Sequence, residues 1–297
     1  MLGVGVDNLR WWDEGQRGDV LLAFHSLTGT EAFARARGLS VVNYVFQDSL
    51  SDKSWPTLWA RWGAIRSVRK LSAYHAAQLG WTFPAFSDAQ IYPSEGDRRM
   101  AVWMYGADSA RGHVIPHGVD DEIMALAGEK HNGPYLISMA TIHPRKNTVL
   151  LARAARETRT PIVFLGRPYA DDDYSREFQS MVDGRFVIYQ GHVDEKEKRR
   201  WLGRARGFVS WSRAEAGCLA AAEALAAGCP VILPRFRWAV WNYEPYATLA
   251  PTDWNGFCNA LAAFYKDPPS KPCFPALTWS QVGERFLGVL ERTVGAH

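Results

Sequence analysis

"SRAEAGCLAAAEALAAGCPVI", residues 212–232, decides how the rest of the chain is read. The apolar run "FVSWS" (208–212) leads into it with strand length. From Leu219 the residues are nearly all strong helix formers, Gly228 and Pro230 end that segment, and Val231-Ile232-Leu233 is again strand-like. An ordinary surface helix would carry scattered Lys and Glu on its outer face, and this one has almost none. Its first turn leaves backbone N–H groups unbonded, which favour an anion such as phosphate, and small side chains from Ala216 to Leu219 let a ligand reach them. Glu215 lies just before that helix and Glu223 about one turn inside, so both can face one ligand; carboxylates accept the hydrogen bonds that sugar and ribose hydroxyls donate. The plain alternative is that Glu215 only complements the helix dipole and Glu223 sits on the surface.

Working outward, apolar runs of strand length recur at 20–24, 41–46, 135–139, 162–165, 186–189, 208–211 and 231–233. Segments with helical spacing, such as 148–158 and 195–205, separate most of them. Strands apolar on both faces alternating with helices predict an α/β fold of parallel sheets covered by helices. The 297 residues suit two domains, and "HVIPHGVDDEI" (113–123) is the expected boundary, because Pro116 and Gly118 punctuate it and a new strand starts at Tyr135. The net charge of +3 gives no argument for nucleic acid, and 47% hydrophobic against 22% charged residues is ordinary for a globular chain. Cys218, Cys229, Cys258 and Cys273 form no C-x-x-C pair, which fits a reducing compartment. With no signal pattern and no apolar run near the roughly 20 residues of a membrane span, the expected location is cytoplasmic.

In open α/β sheets ligands bind at the carboxyl ends of strands, and two more such ends carry informative residues. "YLISMATIHPRKN" (135–147) places Arg145 and Lys146 before a helix, where cations are unfavourable unless an anion is there to be neutralised; a solvated turn is the plain alternative. "FVIYQGHV" (186–193) ends at Gly191, which lets backbone approach a flat ligand. The charged run 195–200 after it reads as a solvated helix face with pairs such as Glu195–Arg199, and no function is assigned to it.

With these sites in this order, the chain resembles retaining GT-B glycosyltransferases of family 4 (glycosyl transferases group 1). The matching stretches are "VIPHGVD", "TIHPRKN", "FLGRP" (164–168), "YQGHV" (189–193) and the opening stretch, which carries E-x7-E followed by E-A-x-A-x-G-x-P-V. "IYPSEGDRR" resembles the last strand of the family's N-terminal domain with its serine-started helix, and "TWSQVGERFLGVLERTV" the helix that crosses back to that domain. The resemblance covers roughly residues 85 to 295. It implies two Rossmann-like domains facing across a cleft: residues 1–120 on the acceptor side, with helix 279–297 packing back on it, and 121–278 binding the donor.

It also implies transfer of a sugar from a nucleotide-diphosphate donor, a GDP- or UDP-sugar, with retention and without a metal. Lys146, assisted by Arg145, would hold the diphosphate together with the amides around Ala216, Gly217, Cys218 and Leu219. Glu215 would hold the transferred sugar and Glu223 the ribose, while Thr141, Arg167, Gly191, His192 and Val193 would border the donor. The acceptor stays open between a lipid-linked saccharide, a polysaccharide and a small molecule, and oligomerisation is also open.

The sequence departs from the family in four places. The usual Gly-Arg before the lysine loop reads Ala140-Thr141. The family's E-x-F-G reads Glu215-Ala216-Gly217-Cys218, with glycine one place early. The strand "VVNYVFQDS" carries Gln47 or Phe46 where an active-site histidine is usual, with Asp48 after it and His25 as another candidate. The opening strands of the N-terminal domain are missing, so that domain is expected to be short. These departures keep two rivals in view, a catalytically impaired nucleotide-sugar-binding subunit and a nucleotide-sugar epimerase. Finally, residues 53–81 interleave Trp55, Trp59 and Trp62 with Arg61, Arg66, Arg69 and Lys70 at helical spacing. That pattern suits either contact with an anionic membrane surface at its inner face or a helix that packs its tryptophans inward.

Overall fold

The computed structural model describes residues 4–10, 13, 15–24, 30–46, 50–79 and 87–295. His25, Gln47 and Asp48, singled out above, lie outside the described residues. The chain forms two compact units: residues 1–47, 53–117 and 279–297 make the first, and 48–52 with 118–278 the second.

The first unit holds β1 (Val20–Phe24), α1 (Thr30–Ala36), β2 (Ser40–Tyr44), α2 (Trp55–Leu71), α3 (Ala73–Gln78), β3 (Ala89–Tyr92), α4 (Glu95–Tyr105) and β4 (Gly112–Val114). Its sheet runs β1-β2-β3-β4, with every neighbouring pair parallel. Ser94 caps α4 by accepting from the Asp97 amide, and Gly106 ends that helix at φ 70°. The C-terminal helix Trp279–Val294 belongs to this unit, where Phe286 packs 5.6 Å from the ring of Tyr44.

The second unit contains β5 (Gly118–Val119), α5 (Asp121–Met124), β6 (Leu136–Met139), α6 (Thr148–Glu157), β7 (Ile162–Leu165), α7 (Asp173–Ser180), β8 (Val187–Gly191), α8 (Glu195–Arg204), β9 (Gly207–Val209), α9 (Leu219–Ala226), β10 (Val231–Pro234), α10 (Arg237–Tyr243), β11 (Thr248–Ala250), α11 (Trp254–Lys266) and β12 (Leu277–Thr278). Six of the strands form one parallel sheet in the order β11-β10-β9-β6-β7-β8.

Strand alternation explains the apolar runs. Ile137, Val163, Leu165, Phe208, Val231 and Leu233 face one core, closed by Ile123, Leu202, the alanines of α9 and Trp238. Leu136, Ile162, Phe164, Val187, Val209 and Ile232 face the other, closed by α6, Phe178 of α7, and Phe257 and Leu261 of α11. Helices on both faces of a parallel sheet are the doubly wound arrangement. The near absence of charge in α9 follows from this, since Ala221 to Ala226 are all buried. Among the described residues no helix is long and apolar enough to cross a membrane.

Candidate active site

The sheet order sets β9, β6, β7 and β8 side by side, so the loops at their carboxyl ends form one row. From the β9 end come residues 210–218, from β6 Thr141–Asn147, from β7 Gly166–Tyr169, and from β8 Gly191–Val193.

Backbone hydrogen bonds tie these loops together. The Arg145 carbonyl accepts from the Arg213 amide at 2.9 Å and lies 3.4 Å from the Ser212 hydroxyl. Ser212 is fully buried, and its own carbonyl accepts from the Trp238 indole at 3.2 Å. The Ile142 amide donates to Arg167 O at 3.0 Å and the Gly166 amide to Gly191 O at 2.7 Å. Gly166 has φ 144°, and a Cβ there would stand 2.0 Å from Ala140 O, so the turn out of β7 admits only glycine without moving backbone.

The resulting geometry forms two lysine–carboxylate pairs, in which the expected Lys146 meets the expected Glu215, and the expected Glu223 meets Lys198. Arg145 and Lys146 lie in a single 3-10 turn, Pro144–Lys146, ahead of α6. Lys146 Nζ donates to Glu215 Oε1; both side chains are largely buried, at 20% and 9% exposed. Glu223, on the fifth residue of α9, is buried and accepts at Oε1 from Lys198 Nζ at 3.0 Å. Lys198 reaches Glu195 as well, at 2.6 Å. Glu223 is therefore no surface residue, and the pairing expected in α8 is corrected. Glu195 meets Lys198 one turn on, while Arg199 pairs with Glu122 of α5.

Burial raises the Glu223 pKa, and Lys198 opposes that rise without cancelling it. For Lys198, burial works against the ammonium, but the hydrogen bond to Glu195 and the charge of Glu223 outweigh it and raise its pKa.

Beside the first pair is a cavity of about 710 Å³ lined by Thr141, His143, Arg145, Lys146, Arg167, Pro168 and Tyr169. Three cationic side chains and no carboxylate line it, a lining that concentrates an anion. His143 accepts the Arg145 amide at Nδ1 (3.0 Å), which places its ring proton on Nε2, and its ring meets Tyr169 edge-on at 4.7 Å. The amides of residues 216–219 donate to no described residue, and α9 has no side-chain cap. Gly191 has φ 72°, His192 is exposed and Val193 packs on the core edge. Among the described residues no three His, Cys, Asp or Glu side chains converge as a metal-binding group.

The displaced glycine of the opening stretch has a structural answer. The left-handed residue before α9 is Cys218, at φ 40° and ψ 67°, and not Gly217. Cys218 is the third residue after Glu215, the place where E-x-F-G puts its glycine. Tyr243, buried in α10, holds this turn: its hydroxyl donates to Gly217 O and lies 3.2 Å from Cys218 O. Burial and then the negative charge of Glu215 push the Cys218 thiol up to about 12, so it stays protonated.

A left-handed conformation costs an L-residue roughly 1–2 kcal/mol, and a β-branched one more. Cys218→Gly is therefore expected to stay within about 1 kcal/mol of wild type, the relief offsetting lost packing and chain entropy. Cys218→Val should cost at least about 2 kcal/mol more than Cys218→Gly, read from urea denaturation midpoints.

Lys198, His143, Tyr169 and Tyr243 are the contributors that motif reading missed. His143 and Tyr169 lie within or beside the quoted loops and could have been named. Lys198 lies in a run of seven charged residues, Asp194 to Arg200, that reads as solvent-facing, and nothing in that run marks the lysine as turned inward.

The geometry agrees with comparisons to known proteins. The family model for glycosyl transferases group 1 matches residues 133–267, which span the six-stranded sheet and this row of loops. No curated protein matches the sequence significantly. Solved structures share the fold at low identity. Anabaena HepE in complex with UDP and glucose is 14% identical with a TM-score of 0.58, over 93% of this chain and 77% of that one. Sucrose-phosphate synthase from Thermosynechococcus elongatus is 17% identical with a TM-score of 0.60, over 90% and 77%. The pneumococcal O-GlcNAc transferase GtfA, in complex with UDP and GlcNAc, is 15% identical with a TM-score of 0.62, over 92% and 57%. The fold is thus that of the GT-B glycosyltransferases.

Proposed function

We propose that the second unit binds a nucleotide-diphosphate sugar and that the protein transfers the sugar to an acceptor hydroxyl with retention of configuration. The observation that carries this reading is the pairing of Lys146, after β6, with Glu215, after the neighbouring β9, and of Lys198 in α8 with Glu223 in α9, beside a helix N-terminus whose amides donate to no described residue. The resemblance in the motifs and the complexes of Anabaena HepE with UDP and glucose and of pneumococcal GtfA with UDP and GlcNAc support it.

On this reading Lys146, Arg145 and the amides of Gly217, Cys218 and Leu219 hold the diphosphate. Glu215 accepts from hydroxyls of the transferred sugar, Glu223 from those of the ribose, and Thr141, Arg167, Gly191, His192 and Val193 border the donor. In the reaction the bond between the anomeric carbon and the diphosphate oxygen breaks, its electron pair leaving with the nucleoside diphosphate. The acceptor oxygen bonds to the anomeric carbon on the same face, and its proton passes to the departing diphosphate. Fixed cations and amides aimed at the charge that grows on the leaving group lower the barrier.

Incubation with UDP- and GDP-sugars, followed by proton NMR of the sugar's anomeric signal, tests this. Release of free nucleotide with the anomeric configuration kept is the expected result. Tight nucleotide binding without turnover on any acceptor would favour the impaired-subunit rival, and a product that is an isomeric nucleotide sugar would favour the epimerase.

A further inference from the structure

The first unit carries a surface that the donor chemistry does not use. In α2, Trp55, Trp59, Trp62 and Arg66 follow one another at helical spacings of four, three and four, making one stripe, and Lys70 extends it by another turn. Trp103 of α4 completes the cluster. Its ring lies 5.9 Å from Trp55, 5.1 Å from Trp59 and 6.4 Å from Trp62, and the Arg66 guanidinium sits 3.7 Å over the Trp62 ring. The helix is anchored through an adjoining face, where Leu58 and Ile65 are fully buried. Despite their ring contacts, Trp55 and Trp59 remain 54% and 53% exposed. Large apolar groups exposed side by side mark a surface that meets something other than water.

The charge pattern selects what it meets. Residues 53–79 contain Lys53, Arg61, Arg66, Arg69 and Lys70 and no acidic residue. Arg69 is tied to the Tyr105 carbonyl at 2.7 Å and Arg61 lies 3.4 Å from the Tyr105 hydroxyl, which leaves Arg66 and Lys70 exposed along the tryptophan stripe. Tryptophan suits the headgroup level of a bilayer, where an apolar ring meets a polar layer. Adjacent cations are drawn to anionic headgroups, about 1 kcal/mol each. A helix with this composition rests in the interfacial plane and does not span the bilayer.

We infer that the face formed by Trp55, Trp59, Trp62, Trp103, Arg66 and Lys70 docks on an anionic lipid bilayer, which would place the protein beside acceptors held in that membrane. This inference does not depend on the identity of the donor.

Co-sedimentation of the full chain with phosphatidylcholine vesicles, with and without phosphatidylglycerol, tests it. The wild-type protein should sediment with the phosphatidylglycerol vesicles and stay in solution with phosphatidylcholine alone. Arg66→Glu, which changes the local charge by two, should weaken binding about thirtyfold. The pair Trp55→Ala and Trp59→Ala should weaken it as clearly while leaving the circular-dichroism melting curve in place, since both side chains are half exposed. Three results would overturn the inference: no binding of wild type to the anionic vesicles, equal binding by the variants, or a dimer in sedimentation velocity that the same variants dissociate. The last would assign the face to a second copy of the chain.

Discussion

Lys146→Ala is expected to lower donor turnover about 10²–10³-fold, the cost of removing one preorganised group that stabilises charge developing in the transition state. It should also destabilise the second unit. The Glu215 side chain is 9% exposed, and among the described residues Lys146 is its one ion-pair partner. Removing the lysine strands a buried carboxylate, which costs about 3 kcal/mol when a buried pair is broken from one side.

The two effects separate in the double variant. Lys146→Ala with Glu215→Gln removes the stranded charge and should recover most of the stability, because a neutral buried pair is far cheaper than half an ionic one. Activity should stay at the single variant's level or lower, because the double variant restores neither the cation proposed to hold the diphosphate nor the carboxylate proposed to hold the sugar. Denaturation midpoints and donor turnover, measured on the two single variants and the double, give both answers. A double variant that regains activity with stability would show that Lys146 acts only by supporting the fold.

Lys198→Met is expected to weaken donor binding about tenfold or more near neutral pH, the scale of a hydrogen bond to a charged group. The cause is Glu223. Its carboxyl is already held above the ordinary range by burial, with Lys198 as the opposing influence. A raised carboxyl pKa means that the protonated form stabilises the fold at low pH, and that this contribution is lost as pH rises through the raised value. Without the Lys198 ammonium that value rises further.

Two consequences follow for the variant. The pH at which donor binding appears on leaving acid should move upward relative to wild type, since in the proposed role Glu223 would have to ionise to accept from both ribose hydroxyls. The stability deficit of the variant should also grow as pH is raised. Lys198→Arg keeps the charge and should restore the wild-type pH profile, which a merely space-filling role for Lys198 would not require. Titration of donor affinity against pH for the three proteins checks this, and a profile that does not move on Lys198→Met contradicts it.

Much of the architecture is legible in the chain because its signals are local. The runs at 20–24 and 162–165 coincide with β1 and β7, and Leu219 and Glu195 open α9 and α8 as their spacing and flanking residues indicate. Thr248–Ala250 is a strand that three residues cannot announce; its place comes from pairing with β10. The convergence of the site is likewise non-local. Lys146 and Glu215 are 69 residues apart, and they meet because β6 and β9 are neighbours in the sheet, a fact of strand order that motif spacing does not contain.

Lys198 shows the opposite limit. Helical spacing gives which residues share a face but not which face turns inward, so the partner expected for Glu195 was Arg199 while the packing of α8 selects Lys198. At Cys218 the sequence departs from the family's glycine pattern by a single residue. The glycine stands one place early at Gly217, and the backbone places the left-handed turn where the pattern has its glycine, on a residue that pays conformational strain for it.

The central claim, that the row of loops after β9, β6, β7 and β8 is a nucleotide-sugar site, is tested most directly by thermal denaturation with UDP-, GDP-, ADP- and TDP-sugars. A ligand that binds only the folded protein adds about 2.7 kcal/mol at a hundredfold excess over its Kd. One nucleotide class should raise the melting temperature by several degrees, and Lys146→Ala and Glu223→Ala should each reduce that rise. No shift with any of the four, or a shift of equal size in both variants, would contradict the account.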